Sequence, residues 1–413
     1  MADETYKTEF FETAVSLGFY GADTGGIFGK KDNVRKYWED MFIKLMLRPF
    51  IEKLLKKRDM LRVVDLGCGS GEGFKLLTHI PIGTKVEGEE NGFLIRAKHI
   101  ETYIGLDISD SMVSQGIKNY AHQNNVQFLQ SDLSKGFPLM SQEPFDIYFS
   151  SYASLSHLTK QQLVKLTEQV FSHSAEQGLM VFDMFGRFSP EWPIYWDKSN
   201  DEMLPYNMAY LFPPEKRRSE KIESFQVCYW TAAELVDVIY SAAAKTGKTI
   251  KLEMKDRSIF VGRHIDTGIF NGVVQSLRYQ VNRLFDHGYR GEVAKLKIDL
   301  AFLEDYKNIQ AQAYGRICEY SRRWNMVIAL LEALMKVDNA AVAAIITPSP
   351  PELSDELKML AWLFRNASRF PVVDFWASVI GPQVACILRN LEFSLPPGLG
   401  CGHGLICVAE ISR

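Results

Sequence analysis

The stretch VVDLGCGSGEG, residues 63–73, places an apolar run ahead of glycines at 67, 69, 71 and 73. LRVVDL has the apolar run of a buried parallel strand, and the bare loop behind it lets backbone approach a ligand closely. Its spacing fits neither a dinucleotide fingerprint nor a phosphate-binding loop. Glu72 stands where the third dinucleotide glycine would be, and no Gly-Lys-Ser/Thr follows. Asp65 ends the strand and Glu72 closes the loop, so two carboxylates would repel phosphate. They suit a ligand that carries positive charge and no phosphate.

Outward from this loop the pattern alternates. A helix and an irregular insertion around PIGTKVEGEENG lead to a strand ending YIGLD. The helix SMVSQGIKNYAHQN and the strands VQFLQSD, FDIYFSS and GLMVFDMF follow. Between the last two, Thr159 and Gln162 predict a capping box opening HLTKQQLVKLTEQVF. Strands alternating with helices give a parallel sheet covered on both faces, and right-handed crossovers make it doubly wound. Ligands of such sheets sit beyond the carboxyl ends of the strands. There Asp107 ends the second strand, where it can accept both ribose hydroxyls, and Asp132 ends the third, where it can accept from an adenine amino group. Ile108, Met112 and Leu133 are apolar neighbours able to sandwich a purine. Either acid alone could equally cap the helix behind it. S-adenosylmethionine, with its sulfonium, ammonium, ribose and adenine, matches the full set.

On these residues the chain resembles the class I S-adenosylmethionine-dependent methyltransferases. The D-x-G-x-G-x-G run, the acid of GLDISDSMV and the acid of FLQSDLS occur in the family's order over roughly residues 35–185, and more weakly over 225–264. The resemblance implies a doubly wound, seven-stranded, mostly parallel α/β sheet. It implies that Asp65 lies near the methionine ammonium and that Gly67, Gly69 and Gly71 pass under the methionine and ribose. Asp107 would hold the ribose, Asp132 and Leu133 would edge the adenine, and Ser150 at the end of the fourth strand would join the cofactor site. The insertion ahead of the second strand departs from the family pattern.

The rest of the chain divides on composition. Residues 1–57 read as an N-terminal helical cap, with a break at Pro49, in which Tyr20, Arg35, Tyr37 and Trp38 are poised to close over the cofactor. Residues 58–271 form the core. Within it, 186–230 are dense in aromatics and read as a lid over the acceptor, with Trp192, Tyr195, Trp196 and Tyr210 to stack a planar substrate or cage an amine. Thr231 and Glu234 predict a second capping box, and TIKLEMKDRSIFVG a sixth strand. Residues 272–391 read as a helical insertion, with Val274, Leu277, Val281 and Leu284, and again Val293, Leu296, Leu300 and Leu303, at helical spacing. This insertion is a homodimer interface, packing, or the wall of a large acceptor pocket. Residues 392–413 close the chain with a strand, GHGLICVAEI, expected back in the main sheet beside the sixth, the alternative being a small terminal strand of the helical domain.

Methyl transfer from a sulfonium needs alignment and exclusion of water, and a base only where the acceptor is protonated. Tyr152 and His157, in SSYASLSHLT, are the candidate catalytic residues. His157 could be the base or could simply anchor the next helix. Composition bounds the alternatives. The formal charge of −3 shows no basic surplus for nucleic acid, with KKRDMLR and EKRRSEK the only short basic runs. MADETYKTEF is no signal peptide, and VVDFWASVIGPQVACIL carries Asp374 and Pro382, which argues against a membrane helix. Six scattered cysteines without C-x-x-C suggest neither zinc nor disulfides and fit a cytoplasmic setting. Cys401, His403 and Cys407 do not form a tetrahedral metal set. The expected activity is methylation of an oxygen or nitrogen of a small apolar or aromatic molecule, without metal. The alternatives are an RNA or protein methyltransferase using the helices for recognition, or a non-catalytic cofactor-binding scaffold.

Overall fold

The computed structural model describes residues 12, 15, 33–82, 92–207, 224–262, 277–289 and 292–413. A seven-stranded sheet forms its centre. The strands are β1 (Leu61–Leu66), β2 (Ile100–Asp107), β3 (Val126–Gln130), β4 (Ile147–Phe149), β5 (Gln177–Phe185), β8 (Thr249–Arg257) and β9 (Gly404–Ser412), in the order β3-β2-β1-β4-β5-β9-β8. A separate hairpin pairs β6 (Leu204–Asn207) with β7 (Ser224–Val227) in the aromatic stretch, where the sequence suggested only a lid. Strands β1 to β5 are parallel, while β9 runs antiparallel between β5 and β8. The last strand therefore returns to the main sheet, and the helices between β8 and β9 leave and re-enter it at one edge.

Both faces of the sheet are covered, which is why β1 and β5 are almost wholly apolar and buried. On one face helix α1 (Asp40–Leu55) lays Phe42, Ile43, Met46, Leu47 and Ile51 against Val63, Ile147, Val181 and Val408. Each such side chain removed from water contributes ~1.5–3 kcal/mol, which outweighs the hydrogen bond lost at Pro49. The helix consequently runs straight through that proline instead of breaking there. Helix α2 (Glu72–Thr78) follows the glycine loop, and α3 (Asp110–Asn119) is capped by the Ser109 hydroxyl, which accepts from the Met112 amide. On the other face lie α4 (Lys160–His173) and α5 (Ala232–Thr246), each opened by the capping box expected from sequence.

The C-terminal helices are α6 (Leu277–Arg283), α7 (Ala311–Met335), α8 (Asn339–Ile346), α9 (Pro351–Arg365) and α10 (Gly381–Phe393). They enclose their own core around Tyr320, Trp324, Leu331, Leu357 and Leu388. Phe260, just past β8, stacks on Tyr320 at 5.0 Å and joins that core to the sheet. The spacing of Val293, Leu296, Leu300 and Leu303 misleads. That segment forms two short 3₁₀ turns, Val293–Leu296 and Ala301–Tyr306, in which Val293, Leu296 and Leu303 are still buried. Val274 and the basic run 215–221 lie outside the described residues. Among the described residues no helix is long and apolar enough to cross a membrane.

Candidate active site

Beyond the carboxyl end of β1 the chain turns through Gly67, Gly69 and Gly71, all with positive φ (76°, 53° and 92°). Two amides fasten this turn to its neighbour, with Gly67 and Cys68 both donating to the Leu106 carbonyl at 2.8 and 3.0 Å. The Asp107 carboxylate then accepts from the Gly69 amide at 2.8 Å and, through its other oxygen, from the Ser109 amide at 2.9 Å. Burial raises the Asp107 pKa and these amide bonds oppose the rise. Asp107 thus both turns the chain into α3 and ties β2 to the loop. Cys68 fills space beside Gly105, and burial pushes its thiol well above the ordinary value.

The two outer glycines are confined, and the middle one is not. A Cβ on Gly71 would sit 2.6 Å from Phe128 and 2.7 Å from Tyr120, whereas on Gly69 it would meet nothing within 4 Å. Next to this open backbone Ile108 is 52% exposed, a free apolar surface directly after Asp107. Met112 and Leu133 lie buried beneath the surface, so of the three apolar neighbours only Ile108 offers an uncovered face.

Asp65 is 1% exposed. One oxygen accepts from the Tyr103 hydroxyl at 2.5 Å, and Oδ1 has no partner among the described residues. Burial pushes its pKa up to about 7; the Tyr103 hydrogen bond pulls against this, and Asp107 and Glu72 add to it. A half-satisfied buried carboxylate is suited to a cation. Glu72 already has a partner from its own chain, since the Arg35 guanidinium donates to it at 3.1 Å. Asp132 behaves as a cap. One oxygen accepts from the Ser134 amide at 3.0 Å and hydroxyl at 2.6 Å, and the other faces Lys135 at 3.4 Å. Partial burial works against ionisation there, but Ser134 and Lys135 prevail and hold the carboxyl below its usual range. Ser150 is fully buried, and its hydroxyl has no partner among the described residues.

After β4, Tyr152 and Ala153 both take left-handed backbone, φ 55° and 63°. Two consecutive non-glycine residues in this region store strain that the surroundings must hold. The Tyr152 amide donates to Asp183 at 2.7 Å, its hydroxyl donates to Asp40, and the Arg35 guanidinium lies 3.5 Å over its ring. Burial pushes the phenol well above its ordinary pKa and so keeps it protonated. His157 lies in the next turn with its ring tilted on Phe225 at 4.9 Å. Crowding by its neighbours lowers its pKa, an effect that solvent on its exposed side reduces.

A buried charge network fixes this corner. Arg257, at the end of β8, donates to both Asp183 oxygens at 3.1 and 2.9 Å and to Glu39 at 3.1 Å. Glu392 of α10 accepts from the Trp38 indole and from the Ser258 and Ile259 amides. N-terminal segment, sheet and C-terminal helices therefore meet above the carboxyl ends of β4, β5 and β8. None of Glu39, Asp183, Arg257 or Glu392 was singled out in the sequence. Asp183, in VFDMF, carried the same strand-end signal as Asp65 and Asp107, while the other three carried none.

The aromatic stretch is packed. Trp192 donates its indole N–H to the Gly186 carbonyl at 2.9 Å and packs on Tyr229, while the Tyr195 hydroxyl donates to the Pro205 carbonyl at 3.0 Å. Trp196 is 1% exposed, with its N–H on the Ser189 carbonyl at 3.1 Å and its ring against Phe188 and Tyr306. It joins the aromatic stretch to the C-terminal helical core and, at 1% exposure, leaves no face for a substrate. Tyr20 and Tyr210 lie outside the described residues. His403 contacts Glu191 at 2.7 Å, within rings of Phe185, Trp192 and Tyr206.

A seven-stranded sheet in this order, with one antiparallel strand and a glycine loop after β1, is the class I S-adenosylmethionine-dependent methyltransferase fold. Residues 88–178 match the family model of a methyltransferase domain. Among solved structures the chain is similar to an S-adenosylmethionine-dependent methyltransferase from Clostridium acetobutylicum (13% identity, 60% of this chain and 89% of that one, TM-score 0.36). It is also similar to one from Mesorhizobium loti (18%, 50% and 83%, TM-score 0.30) and to a DhpI–SAM–HEP complex (16%, 61% and 95%, TM-score 0.33). No curated protein matches the sequence.

Proposed function

We propose that this protein transfers a methyl group from S-adenosylmethionine to an oxygen or nitrogen of a small apolar or aromatic molecule. The observation that carries it is the juncture of Asp107 with Gly69. A carboxylate fixed by two amides borders backbone that would admit a Cβ freely, with exposed Ile108 beyond it. Each Asp107 oxygen keeps a lone pair for a ribose hydroxyl. The orphaned Asp65 oxygen suits the ammonium, and Ile108 gives the adenine an apolar face. Bound there, the cofactor supplies an electrophilic methyl group.

The chain's own residues then have two tasks. Arg35 and Tyr152, stacked across the corner next to the glycine loop, exclude water from the transfer path. Asp183 and Arg257 hold the strained Tyr152 turn so that the wall does not shift, and alignment of this kind is a major source of rate. Tyr152 shapes the acceptor's approach, His157 remains the candidate base, and Trp192 and Tyr195 support the floor of the lid. The −3 net charge favours a small molecule over RNA.

Calorimetry with S-adenosylhomocysteine tests the site. A hydrogen bond to a charged group contributes ~1.5–3 kcal/mol. Losing both ribose bonds in Asp107→Ala should therefore weaken binding by ~10²–10⁴-fold. Affinity within threefold of wild type would remove the assignment. Labelled cofactor incubated with fractionated extract tests the acceptor, and label found only in RNA or protein would overturn the small-molecule reading.

A further inference from the structure

Away from the methyl-transfer corner, a cavity of about 320 Å³ opens between the outer ends of α2 and α3. Lys75 and Arg96 line it as cations beside the rings of His79 and His122, and among the described residues no Asp or Glu lines it. The overall charge is −3, so this is a local reversal of sign. Neither Lys75 nor Arg96 has a carboxylate partner among the described residues, and the Arg96 Nε is buried without a hydrogen-bond acceptor. The field is felt by its neighbours. Burial lowers the His79 pKa, and the like charges of Lys44 and Lys75 lower it further.

The remaining walls are rings. Phe93 tilts over His79 at 4.9 Å, and Phe74 meets Tyr120 edge-on at 5.2 Å. Aromatic walls accept a flat ring by stacking or edge contact, and flanking cations accept an anionic group by charge-assisted hydrogen bonds. The volume is at the lower end of the ~300–1,000 Å³ of small-ligand pockets, enough for one ring and one anionic group. The Tyr120 hydroxyl also donates to the Gly71 carbonyl at 2.7 Å, so this wall is continuous with the glycine loop.

We propose that this cavity is a second ligand site, separate from the cofactor cleft, for a small anion bearing an aromatic ring, such as a nucleoside monophosphate. Lys75 and Arg96 hold the anionic group, and Phe93 and Tyr120 flank the ring. Equilibrium dialysis with labelled adenosine monophosphate at low salt tests it, with phenyl phosphate, adenosine and inorganic phosphate as competitors. Saturable binding is expected, with phenyl phosphate competing and the two half-ligands at least tenfold weaker. The double variant Lys75→Gln/Arg96→Gln, changed at the surface of the pocket, should lose at least tenfold in affinity. Binding should survive Asp107→Ala, whether or not the cleft itself takes S-adenosylmethionine. Three results would overturn the proposal. They are binding lost in Asp107→Ala but kept in the double variant, no saturable binding at all, or single-stranded RNA binding that tightens with length and excludes the mononucleotide.

Discussion

Replacing Arg257 by alanine should be among the most damaging single changes in this chain. Its side chain is 1% exposed and holds two carboxylates, those of Glu39 and Asp183, exposed 0% and 2%. Removing one partner of a buried ion pair costs ~3–5 kcal/mol, because the remaining charge is neither solvated nor paired. Here Asp183 is left, among the described residues, with the Tyr152 amide alone, and Glu39 loses its Arg257 partner as well. A cost of about 4 kcal/mol is a large share of the ~5–15 kcal/mol of a typical protein. At ~2.1 cal/mol/K per residue, the 413 residues give an unfolding entropy of ~0.9 kcal/mol/K in a single transition, hence a Tm loss of ~5 °C. The opposing consideration is desolvation. Replacing a whole buried ion cluster by neutral groups of similar shape is often close to neutral. The triple variant Glu39→Gln/Asp183→Asn/Arg257→Met should therefore recover most of what Arg257→Ala loses. Urea unfolding of both, with m-values to confirm that the same surface is exposed, decides it. A cost below about 1 kcal/mol for the single variant, or a triple variant no better than the single, would refute the view that charge isolation dominates this corner.

Further outcomes follow from the loop and the acid behind it. Gly69→Ala should leave the fold within about 1–2 kcal/mol, the strain of a left-handed alanine, yet abolish S-adenosylhomocysteine binding, because its Cβ enters the open side of the loop. Gly71→Ala should cost more by urea unfolding, since its Cβ meets two rings below 3 Å; equal costs would show the loop is not held as described. Burial sets the folded Asp65 pKa at about 7 against 3.8. Its contribution to stability is thus complete below about pH 4 and lost as pH rises through 7. Thermal melts of Asp65→Asn should lack that decline, and a profile parallel to wild type would exclude it. Cofactor affinity should change oppositely, rising through pH 7 as the carboxylate becomes available to the ammonium, and an affinity that is flat with pH would separate Asp65 from the cofactor.

Much of the architecture was legible in local chemistry. The alternation of strands and helices, the capping boxes at Thr159 and Thr231, and the glycines after LRVVDL each act over a few residues, so sequence alone reveals them. Pro49 and the segment Val293–Leu303 went the other way for one shared reason. Periodicity and propensity are weak forces that burial overrides, keeping a helix through a proline and tightening an apparent helix into 3₁₀ turns. What only tertiary structure decided is which charges meet. Arg257 and Glu39 stand 218 residues apart, and Trp38 and Glu392 stand 354 apart. No local pattern marks such pairs, because a buried ion takes its partner from whatever element the fold brings against it. The sequence by itself determined a glycine loop backed by acids, enough to point to the methyl donor. That Glu72 pairs with Arg35, that Asp132 caps the turn behind it, that Trp196 is buried, and that Tyr152 takes strained backbone were decided by packing, where each polar atom must find a partner once water is gone.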